Sequence, residues 1–231
     1  MSTAVDELKD KVIAAHKILF HEDIVQSHGH ISARIPGTNE FFMIGHIHRG
    51  YDRLTRDHII RINCDGEILE NKQLGAHEEA VIHCEIYSRR PELKSVVHTH
   101  GFYATTLSLT SQPLVPMFMH SLVFSEGVPR VDYSFLIATR DEAKVVADAL
   151  GDLWAVLCRG HGTVNLGRSV EEACVGSVVL ERTAKMILLA KGCGDVTPLQ
   201  ENGGSKNFSR GRISKHAVES FWGCMYDKYC A

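Results

Sequence analysis

The stretch Ser95-Val96-Val97-His98-Thr99-His100 decides how this chain reads, because an apolar strand that ends in His-x-His delivers two imidazoles to one place at its tip. Residues at i and i+2 share one face of a strand, so His98 and His100 converge while Thr99 points away. A third imidazole comes about sixty residues on, in Trp154-Ala155-Val156-Leu157-Cys158-Arg159-Gly160-His161-Gly162, where another apolar strand runs into a Gly-His-Gly turn. Three neutral imidazoles with an open position describe a catalytic metal rather than a closed structural one.

With 14 His in 231 residues, other pairs arise by chance. His28-Gly29-His30 and His46-Ile47-His48 have the same spacing, but neither follows a clean apolar strand, and the plain reading of each is a solvated loop or surface cluster.

Around these motifs the elements alternate. Val5 to Phe20 reads as an amphipathic helix, with Leu8, Val12, Ala15, Ile18 and Leu19 near a helical period. Gly29 to Arg34 and Phe41 to Ile44 read as two strands about the turn Pro36-Gly37-Thr38-Asn39. Ile59 to Ile62 and Glu67 to Leu69 flank Asn63-Cys64-Asp65-Gly66, a second hairpin. A helix from about Glu78 to Ser88 stops before Pro91. Thr139-Arg140-Asp141-Glu142 and Ser169-Val170-Glu171-Glu172 read as capping boxes, each opening a helix, and the second helix runs to about Ala190 with a buried composition.

The helix at Glu78 adds a carboxylate. Glu79, His83 and Tyr87 at i, i+4 and i+8 share one face, and the helix immediately precedes the strand bearing His98. One carboxylate can thus serve as a fourth ligand or as a general base. The plain alternative for Glu78 and Glu79 is a solvated helix start that favours the macrodipole.

Composition excludes several classes. Lys+Arg 25 against Asp+Glu 28 gives a net charge of −3, with no basic stripe to track a phosphate backbone, so no nucleic-acid partner is expected. Met1 to Glu7 has neither a basic nor an apolar region of a signal peptide, and no stretch reaches the ~18 apolar residues of a membrane span. A soluble, cytoplasmic protein without a membrane partner is expected. The 7 Cys are scattered without a Cys-x-x-Cys pair, which suits reduced thiols, and Cys84, Cys158 and Cys174 read as small apolar groups. Hydrophobic residues at 44% are ample for a core. Residues 1–195 read as one catalytic domain. Residues 196–231 read as a tail whose helix, Ile213 to Tyr229, carries Phe221, Trp222, Tyr226 and Tyr229 and must dock on the body or on a neighbouring subunit.

Glu79, then nineteen residues to His98-Thr99-His100-Gly101, a stretch with Pro113 and Pro116, and Gly160-His161-Gly162 together resemble the class II aldolase/adducin family over about residues 5–195. The resemblance implies an α/β/α sandwich, a central mixed β-sheet flanked by helices, and a homotetramer with active sites at subunit interfaces. It implies one divalent metal per subunit, zinc or manganese, held by His98, His100 and His161, with Glu79 as catalytic acid/base.

The departures matter as much. Where the sugar-phosphate aldolases cradle phosphate with amides and hydroxyls, this chain has Gly29-His30-Ile31-Ser32, Ile44-Gly45-His46 and His77-Glu78-Glu79, and it carries His120 where they place a tyrosine acid. Glu78 would repel a phosphate dianion. His30, Ser32, His46, His48, Arg49 and His77 instead suit a small carboxylate substrate, with Arg49 binding it bidentately and His120 donating a proton. That pattern is similar to the decarboxylase branch of the family, which acts on hydroxylated aromatic or pyridine carboxylates. Two further readings stay open: an aldolase or epimerase acting on a hydroxy acid, keto acid or sugar, and an adducin-like scaffold without catalysis.

Overall fold

The computed structural model describes residues 3–46, 50–199 and 213–230. Among them, helix α1 spans Ala4–His21, strands β1 and β2 span His30–Arg34 and Glu40–Ile44, and β3 and β4 span Ile59–Asn63 and Ile68–Glu70. Helix α2 (Ala80–Arg89) leads into β5 (Ser95–Thr99) and the short α3 (Phe102–Ser108). Strand β6 (Arg130–Val131), helix α4 (Arg140–Leu150), β7 (Ala155–Cys158), β8 (Gly162–Gly167), α5 (Val170–Lys191) and α6 (Lys215–Tyr229) follow.

The strands form one eight-stranded sheet in the order β4-β3-β2-β1-β5-β8-β7-β6. All neighbours are antiparallel except β6 and β7, which run parallel, so the sheet is mixed. Side chains alternate across it and build two cores. Ile31, Ala33, Phe42, Ile44, Val97, Ala155 and Leu157 face α1 and α5, with α3 and α6 in the same layer. Phe41, Met43, Ile60, Ile62, Val96, Val156 and Val164 face α2 and α4. Helices on both faces of a mixed sheet make the α/β/α sandwich that the sequence implied.

Local chemistry sets the turns. Gly37 takes a φ of +78° between β1 and β2, where Thr38 N–H and Oγ1 both bond Ile35 O at 3.2 and 2.9 Å. Between β3 and β4 the Asn63 side-chain oxygen accepts from Asp65 N at 3.1 Å and Glu67 N at 2.9 Å. Thr139 opens α4 with a complete capping box. Ser169 accepts from Glu172 N at 3.1 Å, but the Glu172 carboxylate bonds Arg168 N at 2.6 Å instead of Ser169 N, so the expected second box is only half formed. Helix α2 begins at Ala80 rather than Glu78, with Glu79 as its N-cap residue; the Glu79 side chain makes no capping bond because it is engaged elsewhere.

Helix α6 docks on α1 and α5. Val218 and Met225 bury themselves there, Tyr229 stacks on His21 at 5.0 Å, and its hydroxyl reaches Glu22 at 3.0 Å. All seven cysteines carry free thiols, with Cys64, Cys84, Cys158 and Cys174 buried. Among the described residues no helix is long and apolar enough to cross a membrane.

Candidate metal centre

The metal candidates meet at one end of the three central strands. Register places His30 of β1 directly opposite His98 of β5, and Thr99 opposite Thr163 of β8. His161 arrives in the turn between β7 and β8, where Gly160 adopts a φ of +65° and His161 N–H bonds Cys158 O at 3.1 Å. The next residue must be glycine: a Cβ on Gly162 would collide with Thr99 O and stand 2.8 Å from His100 Cδ2. Glu79 enters from the start of α2, positioned by Ile137 N–H, which donates to Oε1 at 3.2 Å.

Glu79, His98, His100 and His161 offer ligand atoms that all lie within 4.8 Å of one another. Glu79 Oε2 is 3.2 Å from His98 Nε2, and Glu79 Oε1 is 3.2 Å from His161 Nε2. Ligand atoms of a tetrahedral site with bonds of 2.0–2.1 Å are spaced by about 3.3 Å. Hydrogen bonding independently points to a cation. His98 Nδ1 lies 3.0 Å from Thr163 O, an acceptor, so in the neutral ring Nδ1 holds the proton and Nε2 is a bare lone pair. That lone pair faces a carboxylate oxygen, an arrangement of two acceptors that a positive charge between them resolves. A backbone carbonyl fixing the tautomer of a ligand histidine is the usual support of such a site. His₃-carboxylate donors therefore fit a divalent metal.

Electrostatics favour a neutral His100 beside an ionised Glu79. Burial, then the neighbouring His98 and His161, lowers His100 to about 3. Burial raises Glu79, but the adjacent His161 and His98 outweigh it and hold the carboxyl well below the usual carboxylate range.

A continuous row of rings extends this centre. His46 packs on His77 at 5.2 Å, His77 on His30 at 5.0 Å, His30 on His98 at 5.3 Å, and His98 touches both His100 and His161 at 4.7 and 5.0 Å. Burial lowers His77 to about 4 and His30 well below the ordinary histidine value. The buried Nε2 atoms of His30, His77 and His98 have no hydrogen-bond partner among the described residues. His30 is thus buried within this row, not the solvated position that the plain reading of its pair gave, while His46 is exposed, as that reading had it, and packs on His77. His48 and Arg49 lie outside the described residues.

Two expected site residues stand elsewhere. Ser32 is fully buried beneath the histidines, its hydroxyl 2.6 Å from His83 Nδ1 and 2.8 Å from Tyr87 OH. On β1 it shares the α2 face with His30 but lies two residues deeper, so it meets the helix rather than the open end of the strands. His120 contacts Phe118 at 6.1 Å and Phe221 of α6 at 4.9 Å, and joins none of the ring contacts of the row. His83, which the sequence placed only on the Glu79 face of its helix, proves to be a member of the buried cluster, 2.7 Å from His30 Nδ1.

Comparison with known proteins gives a consistent result. Residues 10–188 match the family described as Class II Aldolase and Adducin N-terminal domain. The chain is 28% identical to an L-fuculose phosphate aldolase of Methanococcus vannielii, over 78% of this chain and 94% of that protein. It is also 28% identical to a 3,4-dihydroxyphthalate decarboxylase of Arthrobacter keyseri, over 86% of this chain and 88% of that protein. Other curated relatives are longer, and the matched stretch spans 65% and 63% of two of them. Among solved structures, an aldolase II superfamily protein of Pseudomonas syringae superposes with a TM-score of 0.83 at 25% identity, over 99% of this chain and 94% of the other.

Proposed function

Because the chain belongs to the class II aldolase and adducin family, we propose that it is a metal-dependent carbon–carbon lyase, and specifically a decarboxylase of a hydroxylated aromatic or heteroaromatic carboxylate. The observation that carries this reading is the row of imidazoles, His46, His77 and His30, leading to the Glu79/His98/His100/His161 group where a phosphate cradle would otherwise stand. Imidazole N–H groups suit carboxylate and phenolic oxygens, whereas a phosphate dianion would meet the exposed Glu78 beside His77. The alignment with the decarboxylase of Arthrobacter keyseri, which takes in 220 residues, supports the same direction.

Bound by His98, His100 and His161, one zinc or manganese ion per subunit would supply Lewis acidity for the oxygen that takes up charge as the carbon–carbon bond breaks. Glu79, the one carboxylate of the group, stands beside that position and would hold or move a proton at Oε1 or Oε2. Carbon dioxide leaves with its carbon–carbon bond broken, and a proton takes its place on the carbon. His30, His46 and His77 orient the substrate, and His48 and Arg49 are proposed to hold a carboxylate that stays. His120 as a proton donor goes together with a proposed homotetramer whose sites are shared between subunits, since in its own chain it packs on Phe118 and Phe221. The working environment is proposed to be the cytoplasm.

The test offers hydroxybenzoate and hydroxypyridine dicarboxylates alongside phosphorylated ketoses and follows carbon dioxide and aldehyde separately. Carbon dioxide from a hydroxylated acid is expected. Aldehyde from a ketose phosphate, with no carbon dioxide from any acid, would restore the aldolase. A folded protein that retains no divalent metal on purification or reconstitution would favour the scaffold.

A further inference from the structure

Behind His30 runs an unbroken file of hydrogen-bonding side chains that the reaction above does not use. Tyr87 OH lies 2.8 Å from Ser32 Oγ, Ser32 Oγ lies 2.6 Å from His83 Nδ1, and His83 Nε2 lies 2.7 Å from His30 Nδ1. All four side chains are enclosed, none of them more than 1% exposed. The file spans two elements, since Ser32 and His30 alternate along one face of β1 while His83 and Tyr87 are one turn apart on α2.

Its protons can be ordered in two directions. In the first, Tyr87 donates to Ser32, Ser32 donates to His83 Nδ1, and His83 donates from Nε2 to His30 Nδ1; every proton inside the file has an acceptor, and the one left over is the Nε2 proton of His30, at the outer end. In the second, His30 Nδ1 donates to His83 and His83 Nδ1 donates to Ser32. Ser32 must then either give its proton to Tyr87, which leaves the phenol proton without an acceptor among the described residues, or turn to Val96 O at 3.5 Å, the far edge of bonding. A buried donor left unmatched costs about 1–3 kcal/mol; the second direction leaves it in the core, whereas the first moves it to the outer end beside His77 and His98, where an anionic ligand can accept it, and this favours the first direction. At the outer end, His30 Nε2 is buried, has no partner among the described residues, and belongs to a ring that touches His77 and His98.

We infer that Tyr87, Ser32 and His83 form a tautomer lock that keeps the proton of His30 on Nε2, so that this ring presents a fixed N–H donor to an anionic oxygen of the ligand beside His98. A donor aligned in advance in a site closed to water stabilises developing oxyanion charge without reorganising. Tyr87, Ser32 and His83 are positioning residues, acting through His30. Which molecule carries the oxygen rests on the decarboxylase reading; the tautomer does not.

The experiment is nitrogen-15 NMR of the full-length protein labelled at histidine, with and without added zinc, with the His30 signals assigned by their loss in His30→Gln. An Nε2–H tautomer is expected for His30. Ser32→Ala is expected to convert it to a mixture, and Ser32→Thr, which keeps the hydroxyl, to return it. Tyr87→Phe preserves the ring packing and should also loosen the tautomer, so it carries the test if Ser32→Ala does not fold. An Nδ1–H tautomer in the parent protein, or an unmoved tautomer in the folded variants, overturns the lock. Where a carboxylate is turned over, Ser32→Ala should lower kcat by about tenfold with little change in KM. If no acid is decarboxylated, the NMR result decides the lock by itself.

Discussion

At the residue scale, each member of the metal group has its own support, and its removal should have its own signature. The His100 ring meets the backbone of His28, which lies in a loop and not in the central sheet as Thr163 does, so it is a ligand candidate whose loss leaves the strands standing. His100→Ala should therefore fold and lose stoichiometric metal by elemental analysis; full metal retention with full activity would remove it from the group. Glu79→Gln keeps the shape and the oxygen that Ile137 N–H meets, but it loses the charge and the base. It should retain metal and lose turnover by roughly 10²-fold or more. A larger loss in Glu78→Gln would transfer the role to Glu78, which is exposed.

At the element scale, the turn from β7 to β8 is the piece that cannot tolerate change. Gly162→Ala pushes a methyl into Thr99 O and the His100 ring, both backed by the central strands. The expected outcome is a shift of His161 away from its partners, a metal affinity down by at least tenfold in a chelator competition, and a lower melting temperature. Unchanged metal affinity would mean that β8 can slide without cost.

The strands and helices were legible because their periods are clean, as in Ser95 to Thr99 or the α5 stretch, where burial runs along nearly the whole helix. That His98, His100 and His161 gather with Glu79 was legible from the strand-end motif, the Gly-His-Gly turn and the family resemblance. Less legible was what depends on which partner wins a contest. Glu172 chose Arg168 N over Ser169 N, and Ser32 chose His83 and Tyr87 over the open site. The His28/His30 and His46/His48 pairs looked like chance because His30 starts a strand and His46 follows one by two positions, so neither sits inside an apolar run. Only the register of β1 against β5 brings His30 to His98.

At the scale of the whole molecule, burying several imidazoles makes stability depend on pH. Burial lowers His16 to about 3 and His83 to about 3, against an ordinary value of 6.5. Below about pH 6 the unfolded chain takes up protons that the folded chain refuses, so stability falls as pH drops from there towards 4, at on the order of 1 kcal/mol per pH unit for each such histidine. Urea titrations near pH 7 and near pH 5 should show the fall. His16→Gln, remote from the metal group and packed on Tyr51 at 5.5 Å, should make the fall shallower by about one proton. An identical slope in the variant would assign the acid sensitivity elsewhere.

The order in which the strands lie has a consequence in time. Strand β5 is flanked by β1 and β8, each some sixty to seventy positions away along the chain, as the pairs His30 with His98 and Thr99 with Thr163 show. Closing loops of that length is slow compared with forming helices. His98 and His161 come into reach of one another only when β5 and β8 have joined. In refolding, helical signal should rise early and tight capture of metal should lag it, so that the metal would act as a clock for the last topological event.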